Sequence, residues 1–144
     1  MTQIKNIIFD FGGILLPVNY DNISNGFERM GVGNAKDFYS QQTQVDIFDQ
    51  IERGQISGAE FLSELHQKIS NHSELEILET WNSILGELPD FIPSFLSKVS
   101  QHYKIYLLSN TNELHQVVFE KNIKERFHEN LSDWFENVYY SHLT

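Results

Sequence analysis

Two short apolar runs, each followed at once by polar residues, constrain this chain most. The runs are Ile4 to Phe9 and Tyr103 to Leu108. Each is continuous rather than alternating, which is typical of a strand that is buried on both faces of a parallel sheet. Roughly 95 residues lie between them, whereas a crossover connection with one helix needs only about a dozen. The surplus predicts a module inserted after the first strand.

The residues between the two runs have the spacing and the end signals of helices. Ser57 with Glu60, and Ser73 with Glu76, match capping boxes, in which two side chains satisfy free backbone amides. Apolar residues at helical spacing follow each box, and Gly86 is a candidate stop for the second helix. Further helices are predicted at residues 22–30, 35–48, 89–101 and 112–121.

A third and weaker apolar run, Asn137 to Tyr140, predicts one more strand near the end of the sequence. The order of elements therefore predicts an α/β fold with an all-helical insertion after its first strand. The expected core comprises residues 1–17 and 89–144, and the expected insertion comprises residues 18–88. A chain of 144 residues with 40% hydrophobic side chains has enough apolar material for a buried interior.

Charge and composition exclude several kinds of partner. The net charge of −10 would repel nucleic acid and anionic membranes. The absence of cysteine excludes disulfides, thiolate nucleophiles and cysteine-based zinc sites. No segment approaches the ~20 apolar residues that span a bilayer, and the first residues lack the pattern of a signal peptide. These features predict a cytoplasmic protein with no nucleic-acid or membrane partner.

Polar clusters follow both apolar runs. Asp10 leads into Gly12 and Gly13, and Ser109 leads into Asn110. Ligands of open parallel sheets bind beyond the carboxyl ends of the strands. There a carboxylate could attack phosphorus, provided that a divalent cation offsets the repulsion between the two charges. Taken singly, Asp10 also fits a turn or helix cap, and Ser109 with Asn110 also fits an ordinary loop.

The segments IIFDFGGILL, IERGQISGAEFL, YLLSNTNELH and FENVYYSHLT resemble, in order and spacing, the haloacid dehalogenase (HAD) superfamily. More narrowly, they are similar to its bacterial branch of sugar-phosphate phosphatases that act on glucose 1-phosphate. The resemblance extends along nearly the whole chain. It implies a Rossmann-like parallel sheet, of which about three strands are present, and a helical cap formed by residues 18–88.

The resemblance also implies roles at the matching positions. Asp10 would be the nucleophile and a Mg²⁺ ligand, and the backbone carbonyl of Gly12 would be a second ligand. Ser109 and the amide of Asn110 would bind the transferring phosphoryl group. The substrate would be a small phosphorylated metabolite such as a sugar phosphate, and residues of the cap would select its leaving group.

The chain departs from the family pattern in two ways. Gly12 stands where most phosphatases of the superfamily have an aspartate as general acid and base, although the branch that this chain resembles also lacks it. Dehalogenases lack that aspartate too, but they usually have an aromatic residue there, so a 2-haloacid dehalogenase fits less well. The family's lysine motif and its paired acidic residues, which would follow the strand at Val138 to Tyr140, are both missing.

These departures leave three alternatives open: the chain is a fragment of a longer protein, another chain covers the exposed sheet edge, or the gene is truncated. We expect the chain to be a fragment of an active phosphohydrolase, and the 144 residues alone to be inactive. A true truncation would instead indicate a catalytically inactive HAD-like domain that serves binding or assembly. In either case the sheet would have an exposed apolar edge, which a missing C-terminal segment or a second copy of the chain would cover.

Other candidates have simpler interpretations. The six histidines show no metal-ligand spacing, and only His115 is expected near the site. Asp46, Asp49 and Glu52 are expected on a solvated helix face, although a carboxylate of the cap could reach the site. Tyr20 is a candidate for the wall of the cleft. An aromatic group is expected to pack a helix against the sheet: Phe119, Phe127, Trp134 and Phe135.

Overall fold

The computed structural model describes residues 2–32 and 45–144. It contains a three-stranded parallel sheet in the order β1-β2-β3. The strands are β1 (Asn6–Phe9), β2 (Lys104–Ser109) and β3 (Asn137–Tyr140). The register pairs Phe9 with Leu107 and Ser109 with Tyr140, so all three strands end at the same edge of the sheet. The predicted α/β class and the parallel sheet are confirmed.

Within the described residues, six α-helices accompany the sheet. Four lie between β1 and the crossover to β2, one forms that crossover, and one connects β2 to β3. In chain order they are α1 (Tyr20–Arg29), α2 (Val45–Glu52), α3 (Gly58–Lys68), α4 (Glu74–Asn82), α5 (Ile92–Ser100) and α6 (Glu113–Phe127). Short 3₁₀ turns precede and follow β3, at Leu131–Trp134 and Ser141–Leu143.

The side chains of the described residues form two hydrophobic clusters. One contains side chains from all four helices α1, α2, α3 and α4 and is centred on Phe48, Phe61 and Trp81. The centroids of these three rings lie 4.9–5.6 Å apart. The other joins the sheet to α5 and α6 and includes the predicted aromatic group. This separation supports a division into a core of residues 1–17 and 89–144 and a cap of residues 18–88, which stays a prediction.

Only one face of the sheet is covered within the described part of the chain. Ile105 and Leu107 of β2 are buried under α5 and α6, whereas Ile8, Leu108 and Tyr139 on the opposite face are 65%, 54% and 44% exposed. Right-handed crossovers that step in one direction across a sheet lie on the same face. The prediction that these strands are buried on both faces is therefore wrong for the described residues.

Several predicted helix ends also need correction. The helix capped by Asn112 runs on to Phe127, six residues beyond the predicted end, and His128 with φ 58° ends it. Gly86 does not end a helix, because α4 already ends at Asn82. Its amide instead donates to the carbonyl of Pro17, 2.8 Å away.

Residues 33–44 lie outside the described part of the chain. The predicted helix from Ala35 to Phe48 falls partly there, and its described portion belongs to α2. Among the helices that the structure does describe, none has the length and apolar character that crossing a membrane requires.

Candidate active site

Asp10 is the first residue after β1 and begins a tight loop. Its Oδ1 accepts a hydrogen bond of 2.7 Å from the amide of Phe11. The carbonyl of Phe11 in turn accepts from the amides of Ile14, Leu15 and Leu16 at 2.9–3.1 Å. Gly13 has φ +80°, which a residue with a side chain rarely adopts. The loop thus holds the Asp10 carboxylate at the carboxyl edge of the sheet.

Ser109 is the last residue of β2 and lies beside this loop. Its side chain is only 3% exposed. Beyond it, the amide of Thr111 donates to Oγ of Ser141, and that hydroxyl donates back to the carbonyl of Thr111, each at 3.0 Å. Oδ1 of Asn112 accepts from the amide of His115 at 3.0 Å and caps α6. The segment after β2 is thereby held rigidly at the start of a helix, where amides attract anions.

A cleft of about 540 Å³ lies between the sheet edge and the helical insertion. Asp10, Gly12, Ser109 and Asn110 all line it, so the four residues predicted for the site are brought together. Its opposite wall comes from the insertion. The polar or aromatic lining residues there and on α6 are Tyr20, Glu52, Trp81, His115 and Phe119. The prediction that Tyr20 lines the cleft is confirmed.

His115 forms part of the wall, in the first turn of α6. Its ring stacks on Trp81, with centroids 4.9 Å apart and planes at 16°. Its Nδ1–H donates to Oδ1 of Asn82 at 2.8 Å, which leaves Nε2 as an acceptor. Burial lowers the pKa of His115 to about 4, because a charged imidazolium would lose its hydration there. At neutral pH this side chain is uncharged.

Glu52 ends α2 and is the second carboxyl group of the cleft. It is partly buried. Burial raises the pKa of Glu52, and the nearby charge of Asp49 raises it further. The prediction of a solvated acidic face therefore does not hold for Glu52, because the end of α2 faces the core. Asp49 instead forms an exposed ion pair with Arg53 at 3.0 Å.

The carboxylates that the described residues place in the cleft, those of Asp10 and Glu52, have no cationic side chain beside them there. No lysine or arginine is among the described residues that line it. Nor do the described residues contain a group of three or more His, Cys, Asp or Glu side chains arranged to hold a metal ion. The resemblance predicts two oxygen ligands for a metal ion on this side of the cleft, the Asp10 carboxylate and the carbonyl of Gly12. That carbonyl accepts no hydrogen bond from other described residues.

Trp81 is the wall residue that the sequence did not place at the site, whereas His115 was expected near the site and does line the cleft. Trp81 has the spacing of an apolar helix position, and this correctly indicates that it is buried. The side on which it meets the core depends on how the insertion packs. The sequence signal that could have placed Trp81 near the cleft is the polar Asn82 directly after it, at the end of an apolar helix face.

The chain is similar to known proteins over most of its length. It is 30% identical, over 111 residues, to D-ribitol-5-phosphate phosphatase from Bacteroides thetaiotaomicron, and the match covers 76% of this chain. It superposes with a TM-score of 0.86 and 31% identity on the crystal structure of a HAD family enzyme from the same organism, in complex with magnesium and inorganic phosphate. That superposition covers 98% of this chain and 70% of the enzyme.

A further solved structure, of a predicted HAD-like family hydrolase from Porphyromonas gingivalis, superposes with a TM-score of 0.80 and 26% identity. It covers 99% of this chain and 68% of that protein. No family model matches the sequence. The fold, the site and these similarities together show that the chain belongs to the HAD family. It spans about half, 54%, of the length of the curated relative that it matches.

Proposed function

We propose that the protein is a phosphomonoester hydrolase that acts on a small sugar phosphate or polyol phosphate. The observation that carries this proposal is the meeting of Asp10 and Ser109 in one cleft at the carboxyl edge of the sheet. The similarity to a D-ribitol-5-phosphate phosphatase supports it. A cleft of about 540 Å³ is also suited to a small ligand.

In this proposal Asp10 is the nucleophile, and Ser109 and Asn110 bind the transferring phosphoryl group. A carboxylate oxygen of Asp10 attacks phosphorus, and the bond from phosphorus to the ester oxygen breaks on the opposite side. The Ser109 hydroxyl and the Asn110 amide donate to the phosphoryl oxygens, whose charge redistributes in the transition state. Water then releases phosphate from the aspartyl-phosphate and restores Asp10.

The residues present fit a Mg²⁺ ion that takes only some of its ligands from the protein. Magnesium prefers oxygen ligands and is usually held by one or two carboxylates, with the substrate phosphate and water completing the shell. The Asp10 carboxylate and the Gly12 carbonyl are such oxygens, and a HAD family enzyme of similar structure was crystallised with magnesium and phosphate. When bound, the ion offsets the repulsion between Asp10 and the substrate's phosphate.

The first prediction tests the nucleophile. The full-length gene product should hydrolyse p-nitrophenyl phosphate with Mg²⁺, and EDTA should stop the reaction. Asp10→Asn should reduce turnover to background, because an amide oxygen cannot form the aspartyl-phosphate. Asp21→Asn is the matched control, since Asp21 is an exposed carboxylate outside the cleft, and it should keep wild-type activity. Substantial turnover by Asp10→Asn would refute the assignment.

Two observations favour a second candidate, a catalytically inactive HAD-like domain used for binding or assembly. The described part of the cleft has no cationic side chain, and one apolar face of the sheet is exposed. This candidate predicts that the full-length gene product turns over no phosphate ester. Dehalogenation has less support, because the curated relative is a phosphatase.

A further inference from the structure

Hydrolysis of an alkyl phosphate needs a proton donor that the nucleophile loop does not contain. An alkoxide is a poor leaving group unless its oxygen is protonated as the bond to phosphorus breaks. Position 12, two residues after Asp10, is a glycine. If the proposed phosphatase function holds, the acid must come from another wall of the cleft.

Four titratable side chains are among the described residues that line the cleft: Asp10, Tyr20, Glu52 and His115. Asp10 is assigned to the attack on phosphorus. His115 is uncharged at neutral pH, and its one ring proton is held by Asn82. Tyr20 is 61% exposed, so bulk water competes with it for any proton transfer. Glu52 is the carboxyl group that remains.

The fold holds Glu52 against the carboxyl edge of the sheet. Gly54, two residues later, has φ +68°, and a Cβ there would lie 2.1 Å from the carbonyl oxygen of His142. Only glycine permits this approach between the end of α2 and the 3₁₀ turn after β3. In that turn, the Ser141 hydroxyl binds both backbone groups of Thr111. Gly54 therefore packs on His142, and the neighbouring Ser141 binds Thr111, so the end of α2 is connected to the segment that follows Ser109.

The surroundings of Glu52 favour its protonated form. Burial and the charge of Asp49 both raise the pKa of Glu52, and a bound phosphate dianion would act in the same direction. The elements that pack against α2 include α3, which carries the exposed Glu60 and Glu64, and the 3₁₀ turn, which carries His142. Helix α4 also packs against α2, through Trp81 on Phe48, and its carboxylates are the exposed Glu74, Glu76 and Glu79. Burial lowers the pKa of His142, so this histidine supplies little positive charge at neutral pH.

We propose that the carboxyl group of Glu52 protonates the leaving-group oxygen and later accepts a proton from water. In the first step, an Asp10 oxygen bonds to phosphorus, the ester bond breaks, and the Glu52 proton moves to the departing oxygen to give the alcohol. In the second step, water attacks the aspartyl-phosphate and its proton passes to the Glu52 carboxylate. The bond from phosphorus to Asp10 breaks, so phosphate leaves and both carboxyl groups return to their starting forms.

The test compares two kinds of leaving group in the full-length gene product with Mg²⁺. The substrates are p-nitrophenyl phosphate, whose phenolate leaves without a proton, and a panel of alkyl phosphates headed by D-ribitol 5-phosphate. We expect Glu52→Gln to lower kcat on the alkyl phosphates by about 100-fold or more. On p-nitrophenyl phosphate, release of p-nitrophenolate in a single turnover should keep its wild-type rate, which also shows that the variant is folded. Steady-state turnover should fall, because the second step still needs the Glu52 carboxylate. The alkaline limb of the wild-type pH profile on alkyl phosphates should disappear.

Glu64→Gln is the matched control, because Glu64 is an exposed carboxylate of the insertion outside the cleft. It should behave as wild type with both kinds of substrate. In Glu52→Gln, a single-turnover release of p-nitrophenolate that is slowed as much as release of the alcohol, no loss on alkyl phosphates, or a raised KM at unchanged kcat would each overturn the proposal. So would a wild type that cleaves only p-nitrophenyl phosphate. If the wild type cleaves neither, or Asp10→Asn stays active, the proposed function itself fails.

Discussion

At the scale of single residues, Ser109 and Asp10 are candidate site residues because of their position in the fold rather than because of their residue type. A serine or an aspartate after a strand is common in turns and caps. What distinguishes these two is that their strands are hydrogen-bonded neighbours that end at one edge, so both side chains line the same cleft. The sequence predicted this meeting because both apolar runs end directly in polar residues.

His115 is the residue whose burial has the clearest thermodynamic consequence. Its pKa falls from 6.5 to about 4 in the folded protein. Between these values the unfolded chain binds a proton that the folded chain does not, so the histidine's effect on stability is constant above pH 6.5 and becomes destabilising as pH falls towards 4. The loss amounts to about 3 kcal/mol at most.

We therefore predict that His115→Phe weakens the acid dependence of stability. A phenyl ring can keep the stack on Trp81 but has no proton to bind. Urea unfolding at pH 7.5 and at pH 4.5 should show a smaller fall in the free energy of unfolding than in wild type. His102→Gln, at an exposed position, should retain the wild-type dependence. An unchanged dependence in His115→Phe would contradict burial of a neutral histidine.

At the scale of elements, the helix starts with a capping box were predictable, whereas other helix boundaries were less so: the helices predicted from residues 22 and 89 begin at Tyr20 and Ile92. Both predicted capping boxes are present, with Ser57 and Glu60 at α3 and Ser73 and Glu76 at α4. Their hydrogen bonds connect residues three apart, so local sequence suffices to predict them. The end of α6 was missed because tertiary packing of Ile123 and Phe127 against the sheet extends the helix.

The caps give a prediction at this scale. Ser57→Ala and Ser73→Ala should each lower the free energy of unfolding by about 1 kcal/mol, because each removes a bond to a free amide of the first turn. Thermal or urea unfolding measures the change. Ser63→Ala is the control, because Ser63 lies on the exposed side of α3 and makes no cap. If both cap variants matched this control, the capping role would be refuted.

At the scale of the whole molecule, the exposed sheet face is the most unusual feature. Parallel sheets normally have both faces covered. Here Ile8, Leu108 and Tyr139 form an apolar strip across three strands. Such a strip on a free surface favours association. The sequence-based expectation of a further segment or a second copy over the uncovered sheet stays a prediction.

We predict that the 144-residue chain by itself forms dimers or larger species in size-exclusion chromatography with light scattering. The double change Leu108→Ser and Tyr139→Ser should increase the monomer fraction, because it removes apolar area from the strip. A double change on exposed helix positions, Leu75→Ser with Val117→Ser, is the matched control and should leave association unchanged. A chain that stays monomeric at high concentration would rule out association through this face.

The sequence by itself determined the elements, the parallel sheet and the polar residues at its carboxyl edge. These depend on local patterns: apolar runs, capping spacings and glycines in turns. Only the tertiary structure decided which residues of the insertion line the cleft with Asp10. That choice depends on contacts between residues far apart in the chain, such as Gly54 with His142 and Trp81 with His115. No short-range pattern encodes them, which is why the sequence could name three candidate cap carboxylates but only the fold showed that Glu52 lines the cleft.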